Sequence, residues 1–211
     1  MSPVILIEFD WERDPKGYRL VEDARSTRVV RNGKGHAPKD FEHCRPLSAT
    51  DSAFRIFANI ATTPAGVLEF VQRFGPLTAA GRDANHGEDV RLVISNALGL
   101  RQLLRYFSGN EKRPHLATSR FQATQPISLD AQVIWDPVSM VPRWELRPKY
   151  LLDALWLQLG QALTSGGRIS QCQHCGSWFE AGRKTGRRLD SKFCCDEHRT
   201  AFNSLKRSRE K

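Results

Sequence analysis

No stretch of this 211-residue chain is apolar over the roughly 18 to 20 residues that a membrane-spanning helix requires. The first residues, MSPVILIEFDWERD, lack the basic segment of a secretory signal peptide and reach an acidic side chain at Glu8. The sequence has no internal repeat and no low-complexity tract. We therefore expect a cytoplasmic protein without a membrane partner, and 40% hydrophobic residues are enough for a packed core.

The sequence also lacks a recognisable catalytic set. No Ser/His/Asp combination, glycine-rich phosphate loop or pair of carboxylates stands out. Four histidines lie in scattered, loop-like contexts: His36, His43, His86 and His115. We therefore assign no catalytic residue and favour a non-enzymatic role over an enzymatic one.

Apolar patterning predicts an α+β fold, with a mainly helical body over residues 1–165 and a separate small module over residues 168–211. Short strands are predicted near the N-terminus, over Pro3–Trp11, Tyr18–Val21 and Thr27–Arg31. Helical spacing of apolar residues occurs in Phe54–Ala61, Pro64–Phe74, Gly87–Phe107 and Tyr150–Leu163. A hairpin is expected from Ile127–Trp135 and Pro142–Leu146. Long loops are expected over Asn32–Pro46 and Ser108–Gln125.

The positive charge is concentrated at the C-terminal end. The chain has a formal net charge of +9, and residues 167–211 contain 11 Lys and Arg against five Asp and Glu. A basic end is the electrostatic signature expected of a nucleic-acid-binding segment. A solvated tail or an arm that docks on a protein partner would have the same composition.

Four of the five cysteines lie in this same C-terminal segment, whereas Cys44 stands alone. In a cytosolic chain, clustered cysteines hold a metal ion more often than they form disulfides. The pattern is C-x2-C-x18-C-x3-H, two close ligand pairs separated by a loop, which is typical of a structural Zn²⁺ site. The predicted ligands are Cys172, Cys175, Cys194 and His198, and Gly176 allows a tight turn after the first pair.

Cys195 is an alternative to Cys194 as the third ligand. Residues four apart on a helix lie about 40° from each other around its axis, and residues three apart lie about 60° from each other on the other side. On that geometry Cys194, His198, Phe202 and Leu205 form one continuous face, while Cys195 lies beside it. We favour Cys194 and keep Cys195 as the alternative.

The string Cys172-x2-Cys175-Gly-x-Trp-Phe, followed by a basic loop and Phe193-Cys194, resembles the bacterial treble-clef zinc fingers of the FCS and CGNR types. In those fingers the residue after the third ligand is usually Ser and the fourth ligand is usually Cys. Here Cys195 and His198 occupy the two positions, and the CGNR tetrapeptide is absent. Parts of residues 70–77 and 146–159 resemble, more loosely, the bodies of uncharacterised bacterial proteins that end in such fingers. The resemblance implies a treble-clef fold with zinc as the cofactor.

The basic residues of this module are the candidate contacts to nucleic acid, either DNA or RNA. They are Arg183, Lys184, Arg187, Arg188 and Lys192 in the loop, and Arg199, Lys206 and Arg207 on the helix. We expect a zinc-stabilised nucleic-acid-binding protein, such as a transcription regulator. The alternative is a zinc-stabilised protein-interaction module, for example in a toxin–antitoxin or defence operon. A metal-dependent nuclease is disfavoured, because it needs a second, open metal site.

Overall fold

The computed structural model describes residues 6–7, 9, 11–33, 41–45, 52–83, 86–108, 127–136, 140–164, 168–182 and 185–209. The strands are β1 (Leu6–Ile7), β2 (Trp11–Arg13), β3 (Tyr18–Glu22), β4 (Thr27–Arg31), β5 (Glu42–Cys44), β6 (Glu88–Asp89), β7 (Leu129–Asp136), β8 (Val141–Pro148), β9 (Arg168–Gln171) and β10 (Trp178–Ala181). The helices are α1 (Ala53–Asn59), α2 (Pro64–Phe74), α3 (Ala79–Arg82), α4 (Val90–Ser108), α5 (Leu151–Thr164) and α6 (Asp196–Arg209). This mixture of helices and short strands confirms the α+β class.

Helices form close to the positions that apolar spacing predicts. Helix α2 illustrates the sequence signals that start and end a helix. Thr63 caps its N-terminus by accepting a hydrogen bond from the Gly66 N–H, and Pro64 occupies the first helical position. Gly75, with a φ of 83°, ends the helix. The described ends differ from the predicted ones by a few residues, and the short helix α3 was not predicted.

The predicted hairpin is confirmed as β7 and β8, which pair in an antiparallel register from Leu129–Pro148 to Asp136–Val141. Two other predictions need correction. The opening segment forms two separate strands, because β1 pairs in parallel with β8 whereas β2 pairs with β5. Residues 42–44, predicted as loop, form β5 in that pairing. The long loop predicted after Ser108 lies outside the described residues.

One hydrophobic core joins the helices α1, α2, α4 and α5 to the N-terminal strands. Its fully buried side chains include Trp11, Phe54, Phe57, Leu100 and Leu155. Burial of this many large apolar side chains provides the main favourable term for folding the body. None of the helices in the described ranges is both long and apolar enough to cross a membrane.

The two faces of the small hairpin β9–β10 pack in different hydrophobic clusters. Successive residues of a strand point to opposite faces, so Ile169 and Trp178 lie on one face and Phe179 and Ala181 on the other. Ile169 and Trp178 are buried in the core of the body. Phe179 and Ala181 pack with Cys172 in a separate cluster. The division at residues 165–168 stays a prediction, and the residues between α5 and β9 lie outside the described ranges.

Candidate metal centre

The first ligand pair lies on a tight turn that follows β9. The Gly176 N–H donates to the Cys172 carbonyl (2.9 Å), and the Cys172 N–H donates to the Ser177 carbonyl (2.9 Å). Gly176 has a φ of 74°, a backbone conformation that residues with a Cβ rarely adopt. This turn brings the backbone N–H of Cys175 close to the Cys172 sulfur.

The second ligand pair lies at the start of α6. Cys194 precedes the helix by two residues, and the Arg199 N–H donates to the Cys195 carbonyl (3.3 Å), which places His198 on the first turn. The Cys194 Sγ and His198 Nδ1 atoms are 2.9 Å apart. Cys194 and His198 therefore lie at the same point, although Cys194 precedes the helix and does not share with His198 the helical face that the four-residue spacing predicts.

All four predicted ligands converge. One ligand atom from each of Cys172, Cys175, Cys194 and His198 lies within 4.8 Å of the others, so these residues are positioned to hold a metal ion. Cys195 does not belong to this group, although its Sγ lies 3.9 Å from that of Cys194. None of the five cysteines, all of which lie in the described residues, forms a disulfide.

The distances between the predicted ligand atoms can be compared with those of a tetrahedral zinc site. Zn–S bonds of about 2.3 Å put two sulfurs of a tetrahedron about 3.8 Å apart, and Zn–N bonds of about 2.1 Å put a sulfur and a nitrogen about 3.6 Å apart. The Cys175 and Cys194 sulfurs are 3.8 Å apart. The Nδ1 of His198 is 2.9 Å from the Cys194 sulfur and 4.0 Å from that of Cys172. The distance between the two sulfurs matches a tetrahedral zinc site, whereas the Cys194–His198 distance is shorter than that geometry requires.

The electrostatics of the cluster favour a bound cation. Burial acts to raise the pKa of the Cys172 thiol, but the N–H groups of Cys175, Cys194 and His174 lower it to about 6. The pKa of Cys194 is raised, first by burial and then by the neighbouring thiols of Cys172 and Cys175. Thiolates this close repel each other, so they can all be deprotonated only when a cation lies between them.

A small cluster of apolar side chains packs next to the predicted ligands. Phe179 and Ala181 of β10 are buried with Cys172, and Phe193 and Cys194 pack against them. The rings of Phe193 and Phe202 lie 5.3 Å apart, which anchors the first half of α6. This cluster contains few side chains, so other interactions must supply most of the stability of the metal-ligand segment.

The other face of the hairpin docks on α1. The Asn59 side chain accepts a hydrogen bond from the Trp178 N–H and donates one to the Trp178 carbonyl. The Ser52 hydroxyl donates to the Glu180 carboxylate (2.8 Å), and the Arg55 Nε lies 3.7 Å from it. These contacts attach the metal-ligand segment to the body. Sequence reasoning missed them because the partners are 119 and 128 residues apart and no local pattern links them.

The structure places the predicted cationic residues in different surroundings. Arg183 and Lys184 lie outside the described residues. Arg188 is exposed and lies 3.4 Å from the Asp190 carboxylate, while Arg199 is exposed and lies 3.1 Å from that of Asp196. Arg187 is half-buried, and Lys192, Lys206 and Arg207 are exposed. Most of the described cations therefore face solvent around the metal-ligand segment.

Comparison with known proteins adds no relative. No family model matches the chain, and neither the curated proteins nor the solved structures include a match. Function therefore has to be argued from the geometry of the site itself.

Proposed function

We propose that Cys172, Cys175, Cys194 and His198 hold one structural Zn²⁺ ion, and that residues 168–211 form a treble-clef-like zinc finger. The observation that carries this proposal is the convergence of three sulfurs and one imidazole nitrogen within 4.8 Å. A Cys3His set suits zinc, and four protein ligands leave no open position for a water or a substrate. The role of the ion is therefore to stabilise the segment rather than to catalyse a reaction.

Elemental analysis tests the metal. Protein purified without chelator should contain one zinc ion per chain, because a closed four-ligand site contributes about 10 kcal/mol or more to the folding of a small module. A preparation with an intact chain and no metal would refute the proposal. Substoichiometric iron or copper in place of zinc would refute the identity of the ion but not the site.

We further propose that the finger binds nucleic acid, in the role of a transcription regulator. The sequence has no acidic residue between His198 and Arg209, and the basic side chains of Arg199, Lys206 and Arg207 are exposed on α6. Lys192 and Arg188 are exposed in the segment that leads to the helix. Cations at exposed positions are suited to phosphate contacts, which position a protein on nucleic acid without reading its sequence.

The salt dependence of binding tests this part. About three to five phosphate contacts would make the logarithm of affinity for duplex DNA fall with a slope of about −3 to −4.5 against the logarithm of salt concentration. The double variant Arg187→Glu/Arg188→Glu should weaken binding and flatten the slope while zinc content stays unchanged. The matched control is Lys16→Glu/Arg25→Glu, which reverses two exposed charges on the body.

The alternative function, a protein-docking finger, predicts a different outcome. Wild-type protein would then bind neither duplex nor single-stranded DNA or RNA at low salt, and the nucleic-acid proposal would be abandoned. Equal loss of binding in both double variants would also contradict it, because general charge rather than the finger would then be responsible.

A further inference from the structure

The outer face of α6 is presented to solvent over more than two turns. His198 points to the ligand cluster and Phe202 packs on Phe193, which defines the inner face of the helix. Thr200, Asn203 and Arg207 lie about 140° to 200° around the axis from His198 and are all exposed. Beyond Phe202 every residue from 203 to 208 is exposed, so the second half of α6 extends from the protein.

The exposed second half of α6 buries little of its own surface. Isolated helices of this length are marginal in water, and the contacts of His198 and Phe202 both lie in the first half of α6. The sequence from His198 to Arg209 has basic residues and no acidic one. A polyanion is the partner whose charge complements this surface.

The diameter of an α-helix such as α6 matches the width of the major groove of duplex DNA. An α-helix with its side chains is about 10–12 Å across, and the major groove of B-DNA is about 12 Å wide. The rise from Thr200 to Arg207 is about 10 Å, the length of about three base pairs. The major groove of duplex RNA is too deep and narrow for side chains to read, so DNA is the better fit.

The residue types on this face are those that read base edges. A guanidinium such as that of Arg207 donates twice to guanine, and an amide such as that of Asn203 pairs with adenine. The Thr200 side chain offers a hydroxyl and a methyl group for the neighbouring base pair. Arg199 and Lys206 flank this row on one side, where the phosphate backbone would lie.

Two acidic residues at the start of α6 limit which part of the helix can contact DNA. Asp196 and Glu197 occupy the first turn of α6, where their negative charge would repel phosphates. Asp196 is paired with Arg199 at 3.1 Å, which offsets part of that charge. The reading face therefore starts at Thr200 and runs toward the C-terminal end of the helix.

We infer that α6 is a recognition helix that enters the major groove of duplex DNA and reads about three base pairs with Thr200, Asn203 and Arg207. This inference rests on the proposed nucleic-acid-binding function and adds sequence specificity to it. The finger would then combine a non-specific phosphate-binding surface with a short specific contact.

Selection from a random-sequence DNA duplex library by the full-length, zinc-loaded protein tests the inference. We expect enrichment of a short motif of about three base pairs. Arg207→Ala should lower discrimination at one guanine position about 5- to 150-fold, the range for a lost bidentate contact, and leave the other positions unchanged. Arg207→Lys should also lower it, because a lysine retains the charge without the bidentate geometry.

Lys206→Ala is the matched comparison, since it removes an adjacent exposed cation from the same helix. It should weaken binding to all sequences alike and leave the enriched motif unchanged. Each variant should retain one metal ion per chain, which shows that the finger is intact.

The possible outcomes separate this inference from the proposed function. Salt-dependent binding with no enriched motif, or a motif that Arg207→Ala leaves unchanged, overturns the recognition helix but leaves nucleic-acid binding in place. Stronger binding to duplex RNA than to duplex DNA also overturns it. Absence of binding to any nucleic acid overturns both.

Discussion

The side-chain amide of Asn59 forms two hydrogen bonds with the backbone of Trp178, accepting from its N–H at 2.9 Å and donating to its carbonyl at 3.3 Å. Asn59 is the last residue of α1, and Trp178 is the first residue of β10. The Trp178 side chain is buried in the core of the body. The next residue, Phe179, packs with Cys172 on the opposite face. The body and the metal-ligand segment are thus joined through one strand.

Replacement of Asn59 should weaken the attachment of the metal-ligand segment to the body. Asn59→Ala leaves a part-buried backbone N–H and carbonyl of Trp178 without their partner, which should cost about 1–3 kcal/mol of stability. Urea unfolding measures the loss. Asn96→Ala is the control, because the Asn96 amide bonds only to a carbonyl of its own helix. Equal effects of the two substitutions would show that the Asn59–Trp178 contact contributes nothing specific.

The identity of the third ligand can be tested with two neighbouring cysteines. Cys194→Ser should lose the metal, because it removes one of the four converging ligand atoms. Cys195→Ser should keep it, because the Cys195 sulfur lies outside that group. Zinc content after dialysis measures both. Retention in the first variant together with loss in the second would assign the site to Cys195.

Removal of the metal should destabilise residues other than the four ligands. Chelation, or Cys172→Ser, should loosen β9 and β10 and expose Trp178, which is 4% exposed in the folded chain. We expect the tryptophan emission to shift to longer wavelength when chelator is added. The shift should be much smaller in Trp178→Phe, and amide exchange should become faster in β9 and β10 than in α2. An unchanged hairpin in the metal-free protein would contradict this coupling.

Glu88 makes the stability of the body depend on pH. Burial raises the pKa of its carboxyl from about 4.5 to about 7, although hydrogen bonds from Leu77 and Thr78 oppose the shift. The folded state therefore retains a proton that the unfolded chain has released, so the stability that Glu88 contributes is greatest below pH 4.5 and is lost as pH rises through about 7. The loss amounts to about 3 kcal/mol at most.

Substitution of Glu88 isolates this effect from the pH dependence of the metal ligands. Glu88→Gln retains an acceptor for the Leu77 N–H but has no titratable proton. The difference in unfolding free energy between wild type and Glu88→Gln should change by about 1–3 kcal/mol between pH 4.5 and 8, with the variant favoured at high pH. Glu22→Gln, at an exposed position, is the control. A constant difference across this range would show that folding does not shift the pKa of Glu88.

Several elements could be predicted because their signals are local. The stop at Gly75, the turn at Gly176 and the hairpin of β7 and β8 each depend on residues within about 20 positions of one another. The opening strand was predicted wrongly because apolar content alone does not say which strand it will pair with. Residues 6–7 pair with β8, about 139 positions away, whereas residues 11–13 pair with β5.

The amino-acid sequence by itself predicted which four residues converge, because thiolate and imidazole chemistry and the spacing of the two pairs restrict which residues can share one ion. It also determined the α+β class, through apolar periodicity. The tertiary structure alone decided how Trp178 and Asn59 join the metal-ligand segment to the body, and which strands β1 and β2 pair with. These features depend on contacts between residues far apart in the chain, and such contacts leave no periodic or spacing signal in the sequence.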